Sequence, residues 1–244
     1  MSKQFRFQPV SFSWVAVHPQ PKGVVQFMGG SFFGSLPTLF YRYFLQQLFE
    51  EGYTVVALPF RFSFRHWPIA LGLLKEQEIL RTELTKIAQK LGYESEIYQE
   101  LSSYFWVGHS LGCKYIALLE FLSDDRYPNI VNKFYDRPDS EQIQSLIQNL
   151  DIKRPSIINQ PSLLIAPDIS NTESAIPVRS LAQLLDKFGL GVLPTREQTQ
   201  NFIASSSLFN LTAIISFERD EIAGCTNDLN KSPEQQKLSD VLWL

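Results

Sequence analysis

The run YFWVGHSLGCKYIALLEFL, Tyr104 to Leu122, constrains this chain more than any other stretch. An apolar, β-favouring segment climbs into Gly108-His109-Ser110-Leu111-Gly112 and then takes on helical spacing. A strand that becomes a helix across one residue must hold that residue in a strained conformation. Glycines two positions before and two after relieve the clashes with neighbouring backbone. A G-x-S-x-G match arises by chance in roughly one chain in fifteen of this length, so the weight comes from context: this one ends a strand and opens a helix. The ordinary alternative is a small residue in a tight corner. The turn also sets the Leu111 N–H at a helix N-terminus, where it can hold developing negative charge.

A second glycine-rich segment, Phe27-Met28-Gly29-Gly30-Ser31-Phe32-Phe33-Gly34, follows an early strand. Gly30, Ser31 or Phe32 can present a second N–H to the same charge, the alternative being a plain glycine-rich turn. Around these two segments strand and helix patterns alternate, which predicts α/β architecture with a mainly parallel sheet and helices on both faces. Strands are expected at Ser13–His18, Gly23–Met28, Tyr53–Pro59, Ser162–Ala166 and Leu211–Phe217. Ser162–Ala166 is preferred to Ile130–Tyr135, which Asn132 and Lys133 interrupt.

Helices are expected at Leu36–Glu51, with Leu36, Leu39, Phe40, Tyr43, Phe44 and Leu48 as an inward stripe, and at Lys75–Leu91, with Ile79, Leu80, Leu84, Ile87 and Leu91 inward. Further helices are expected at Leu181–Phe188, after the Thr195–Gln198 capping box, and from Ser232-Pro233. Val241 to Leu244 reads as the start of a strand. The chain is expected to be one domain over 1–244, with a cap-like insertion at 172–206 and an irregular, partly helical one at 124–160.

Composition narrows the function. The 244 residues carry a net charge of −3 without a dense Lys/Arg block, which argues against nucleic acid as a partner. Two cysteines, Cys113 and Cys225, make no metal or disulfide framework. No metal or cofactor is expected. No apolar run approaches the ~20 residues that span a bilayer, and the N-terminus has no signal character, so a cytoplasmic location is expected. Oligomeric state is left open.

The early strand with its Gly-Gly loop, GHSLG on a central strand and a late strand followed by an aspartate resemble the α/β-hydrolase superfamily. FMGGSFFG, YRYFLQQLFEEGYTVVALPF and GHSLG together resemble, more narrowly, uncharacterised α/β-hydrolase-like proteins of cyanobacteria and plastids. The resemblance implies an α/β-hydrolase fold and Ser110 as nucleophile, with Leu111, Gly30, Ser31 and Phe32 as oxyanion candidates. The implied acid is Asp220, after the last strong strand, with Asp168 as rival. Either aspartate can instead simply cap a turn.

The superfamily order then demands a histidine after the acid, and none follows Asp220. Either the final strand and following helix are truncated or absent and the histidine with them, or another histidine substitutes, or the fold binds without turnover. His109 lies inside the elbow and His18 on an early strand. His66, expected on a loop at the carboxyl edge of the sheet, is the possible substitute base or a pocket residue. Phe32, Phe33, Phe60, Phe62, Phe64 and Trp67 are expected at the pocket rim and suit an acyl or lipid-like small molecule. The expectation is a serine hydrolase of esters or thioesters, weak or inactive as this chain. The alternative is a non-catalytic ligand-binding or scaffold protein; the superfamily also hosts haloperoxidase and lyase chemistry.

Overall fold

The computed structural model describes residues 5–134, 137–148, 157–169, 191–206, 211–232, 236 and 239–242. Seven strands form one sheet: β1 (Gln8–Val10), β2 (Ser13–Ala16), β3 (Val24–Met28), β4 (Thr54–Ala57), β5 (Tyr104–His109), β6 (Ser162–Ile165) and β7 (Thr212–Ile215). Their order across the sheet is β1-β2-β4-β3-β5-β6-β7. β1 pairs antiparallel with β2, and β2 with β4; every later pairing is parallel. The five expected strands are all present, the GHSLG strand is central, and the Asn132–Lys133 stretch is helical.

The parallel strands are apolar on both sides because both sides are covered. In β3, Val24 and Met28 join the core under the later helices, while Val25 and Phe27 join the core against the early ones. The helices are α1 (Pro37–Phe40), α2 (Arg42–Glu50), α3 (His66–Leu91), α4 (Leu111–Ser123), α5 (Tyr127–Phe134), α6 (Arg137–Gln148) and α7 (Arg196–Ser205). The Thr195 hydroxyl accepts from the Gln198 N–H and the Gln198 side chain accepts from the Thr195 N–H, the expected capping box of α7. The helix expected at Leu181–Phe188 lies outside the described residues, as does most of the one expected from Ser232-Pro233.

Three expectations are corrected. The single helix over Leu36–Glu51 is broken at Tyr41 (φ −111°, ψ 16°), so its stripe changes phase: Leu45 and Phe49 are buried, while Leu36, Leu39, Phe40 and Tyr43 face solvent. The helix expected from Lys75 begins at His66 and runs for 26 residues to Leu91, where Gly92 closes it with φ 69°. Pro68 is tolerated in the first turn, and Ile79 and Leu91 are exposed rather than inward. Of Val241–Leu244, expected to open a strand, Val241 and Leu242 belong to a 3-10 turn over Asp240–Leu242, and the last two residues lie outside the described ones.

The corner between β5 and α4 depends on absent side chains. A Cβ on Gly112 would lie 2.3 Å from the Met28 carbonyl oxygen and 2.7 Å from that of Gly29; one on Gly108 would lie 2.9 Å from the Cys113 nitrogen. Gly72, inside α3, has nothing within 4 Å of that position. Gly112→Ala is therefore expected to destabilise by about 3 kcal/mol, backbone being unable to give, and Gly72→Ala to stabilise by about 1 kcal/mol. Urea unfolding of the two variants measures both.

Candidate active site

Ser110 caps α4 at φ 52°, ψ −122°, the positive-φ conformation of the first central residue of a type II′ turn, a position that glycine ordinarily fills. Three neighbours hold it there. Its N–H donates to the Ile165 carbonyl at the end of β6 (3.0 Å), and its carbonyl accepts from the N–H groups of Cys113 (3.0 Å) and Asp168 (3.3 Å). The side chain is half-buried, and its hydroxyl makes no hydrogen bond to another described residue. The Leu111 N–H, first in the helix, likewise has no acceptor among the described residues.

The two glycine-rich segments meet. A Cβ on Gly30 would lie 3.2 Å from Ser110 Cβ, 3.3 Å from His109 Nδ1 and 3.4 Å from Tyr41 Oη. Tyr41 occupies the centre of this corner. The Gly30 N–H donates to its hydroxyl (2.8 Å), which lies 2.9 Å from His109 Nδ1. With an amide donor already supplied, the phenol's own proton is left for Nδ1, so the arrangement that satisfies all three groups puts the imidazole proton on Nε2. Gly30 is thus committed to Tyr41, and the second oxyanion candidates are the Ser31 and Phe32 amides. Burial raises the Tyr41 phenol above its usual value. Burial lowers His109, against the opposing pull of the Asp220 carboxylate.

Asp220 follows β7, and its Oδ1 accepts from the N–H groups of Ile222 (2.8 Å) and Ala223 (2.9 Å). Half of that carboxylate therefore serves as a turn cap. Asp168 is buried after β6, and its N–H donates to the Ser110 carbonyl (3.3 Å). Both acids come to the carboxyl edge of the sheet, where the open ends of parallel strands leave room for a ligand. Among the described residues no cluster of His, Cys, Asp and Glu could hold a metal ion, and no helix is long and apolar enough to cross a membrane.

A family model described as Protein of unknown function (DUF1350) matches residues 6–242. The chain belongs to the DUF1350 family. No curated protein matches it by sequence. Solved structures similar to this DUF1350 chain include the carboxylesterase Cest-2923 from Lactobacillus plantarum WCFS1 (14% identity, 94% of this chain and 76% of that one, TM-score 0.50). A lipase/esterase from Lactobacillus plantarum is similar at 13% identity over 92% of this chain and 80% of that one, with TM-score 0.49. An esterase from Pyrobaculum calidifontis is similar at 14% identity over 86% of this chain but only 63% of its own, with TM-score 0.42. The likeness fixes the architecture: this DUF1350 protein has the α/β-hydrolase fold.

The other two histidines of the DUF1350 chain stand away from Ser110. The His18 N–H donates to Thr54 Oγ1 at the amino edge of the sheet. His66 is not on a loop but is the first residue of α3, with its N–H donating to the Leu193 carbonyl (2.8 Å). Its ring is buried against Tyr115, with Nε2 2.9 Å from the Ser63 carbonyl. Burial and the nearby Lys114 charge push it down to about 2, so it retains little basicity for proton abstraction. Trp67 lies in the core beside Phe121 and Phe202 rather than on a rim. Phe60 is buried against Tyr115, whereas Phe32 and Phe33 are exposed. A cavity of about 680 Å³ runs past Phe60, Arg61, Phe62 and Arg65, without Ser110 in its wall.

Behind the elbow lies a buried group of charges that the sequence reading did not single out. Lys114, one turn into α4, donates to the Pro194 carbonyl (2.7 Å) and is brought down to about 7 chiefly by burial, against the opposing pull of Asp168 and Asp240. Asp240 pairs with Arg196 (2.9 Å) and accepts from the Ile169 N–H (2.7 Å). The available signal was a lysine and a glutamate, Lys114 and Glu120, inside an otherwise apolar helix.

His66 gives the site region an acid sensitivity of definite sign. Above its ordinary value of 6.5 the ring is neutral whether folded or unfolded and contributes nothing; below it, the unfolded chain takes a proton that the folded ring refuses. Stability is therefore expected to fall as pH drops from about 6.5 toward 2. His66→Gln, which keeps an N–H for Ser63, should flatten this part of the slope in urea midpoints measured across the range.

Proposed function

We propose that this protein is a serine hydrolase of carboxylic esters or thioesters with acyl or lipid-like groups, with Ser110 as nucleophile. One observation carries the reading: a serine with φ 52° and ψ −122° at the head of α4, its hydroxyl unengaged among the described residues, packed against the Gly29–Phe32 segment. Ser110 Oγ forms a bond to the acyl carbon while the carbonyl π pair moves to oxygen and the hydroxyl proton passes to water. The Leu111 N–H and that of Ser31 or Phe32 receive the resulting oxyanion. When the π pair returns, the ester C–O or thioester C–S bond breaks and the alcohol or thiol leaves with a proton from water. Asp220 is the carboxylate placed to orient a base, with Asp168 the rival. Carboxyl-ester chemistry is a fold-level analogy with proteins such as Cest-2923. The narrower resemblance to cyanobacterial and plastid proteins belongs to the same reading and names no substrate.

A second reading has an observation in its favour. No described histidine hydrogen-bonds Ser110: His109 Nδ1 is engaged by Tyr41, and His66 is held by Ser63. A fold that keeps the elbow without a base is suited to binding an acyl ligand without turnover. Loss of one triad member leaves only ~10³–10⁴-fold catalysis over water, so slow turnover of p-nitrophenyl and thioester substrates is expected. A fluorophosphonate probe should label Ser110 slowly, and not at all in Ser110→Ala. Silence under conditions that label a control esterase would establish the binding reading. Brisk turnover abolished by His109→Gln or His66→Ala would instead identify that histidine as the base.

A further inference from the structure

The phase change at Tyr41 leaves large apolar side chains in water. Phe32, Phe33, Leu36, Leu39, Phe40 and Tyr43 are between 52% and 78% exposed. They follow one another along a 3-10 turn (Phe33–Ser35), α1 and the start of α2. One ring contact lies within the set, Phe33 with Phe40 at 5.0 Å; Phe32 stacks on Phe62 at 4.7 Å, and chain continuity links the rest. Single exposed apolar residues are ordinary, whereas a contiguous set marks a surface that meets something.

Charge on this part of the chain is mainly positive. Residues 1–75 contain seven Lys and Arg against two acids, Glu50 and Glu51, at the far end of α2; the remainder contains fifteen Lys and Arg against twenty-three Asp and Glu. Arg42 precedes Tyr43 in the chain, with its guanidinium 5.6 Å from the Phe5 ring centroid, and Arg61 precedes Phe62; both arginines are exposed.

We infer that this face docks on an anionic lipid surface, its Phe and Leu side chains entering the interfacial layer and Arg42 and Arg61 meeting headgroup phosphates. Interfacial binding scales with apolar area plus attraction to anionic lipid, and this face supplies both. A bilayer asks for no matching relief. A second copy would have to offer its acidic part to this basic one, a head-to-tail contact that has no reason to close. Phe32 and Phe33 of this surface follow Gly30, which packs against Ser110, so docking places the rim of the Ser110 site at the lipid. The inference stands whether or not Ser110 turns over.

The test is co-sedimentation of the full chain with phosphatidylcholine vesicles and with vesicles of equal phosphatidylcholine and phosphatidylglycerol, using Ser110→Ala alongside the native chain. Both proteins are expected to bind the phosphatidylglycerol vesicles and to leave phosphatidylcholine largely unbound. Salt that shortens the screening length to about 3 Å should weaken the binding. The pair Arg42→Gln and Arg61→Gln should weaken partitioning roughly thirtyfold, and the pair Leu39→Ser and Phe40→Ser should also weaken it. Because these side chains are exposed, unchanged thermal unfolding is expected for each pair. Absence of binding, equal binding to both vesicles, or binding indifferent to both pairs would overturn the inference. So would light scattering showing that Leu39→Ser with Phe40→Ser dissolves an oligomer, which would assign the face to a second copy. Failure here would leave fluorophosphonate labelling of Ser110 untouched, so the two readings fail separately.

Discussion

The reversal from β5 into α4 in a single residue is the constraint from which the site follows. Holding a serine at φ 52° costs of order 1–3 kcal/mol unless the surroundings over-determine it. Here they do, through β6 on one side, the loop bearing Asp168 on the other and the first turn of α4. The same reversal drives Gly112 against the carbonyls of Met28 and Gly29. That contact brings the exits of β3 and β5 together, and with them the Gly30 segment and the Ser110 hydroxyl. Strand order alone would make β3 and β5 neighbours. The missing Cβ atoms make their ends touch.

The buried charges belong to this scaffold rather than to its rim. Lys114 and Glu120 lie inside a helix buried along its whole length, where an unpaired charge costs several kcal/mol. Glu120 is pushed up to about 8 by burial and shares a hydrogen bond with the Ser162 hydroxyl on β6. Asp240 ties Arg196 at the start of α7 to the Ile169 amide beyond β6. Four segments distant in sequence are thus pinned behind the elbow by polar groups, whose directionality fixes register in a way that apolar packing does not.

What the sequence made legible was local. Gly108, Ser110 and Gly112 announce the corner because the steric demand lies within five residues, and Ser162–Ala166 announces a buried strand because it is short, apolar and bounded. The Thr195–Gln198 capping box is local for the same reason. The α1–α2 stripe was misphased because a helix broken at Tyr41 keeps hydrophobic spacing in its sequence while rotating its faces. His66 is expected on a loop because it follows the Tyr53–Pro59 strand and the helical pattern is read only from Lys75. The helix starts nine residues earlier, with Pro68 tolerated in its first turn and Gly72 merely having room. The Tyr41 bonds to Gly30 and His109 span 11 and 68 residues, and nothing in the spacing of a single sequence encodes such partners.

Tyr41 is the point where these threads meet. Its hydroxyl accepts from the Gly30 amide and lies 2.9 Å from Nδ1 of His109, the histidine nearest in sequence to Ser110. Its backbone is the break between α1 and α2, so it also sets which side chains of those helices reach solvent. The Tyr41 ring packs against Phe27, with centroids 4.7 Å apart, so its position is fixed from β3 as well. The groups beside Ser110 and the surface presented by α1 and α2 therefore share one residue, whose backbone breaks the helix and whose phenol engages both the Gly30 amide and His109 Nδ1.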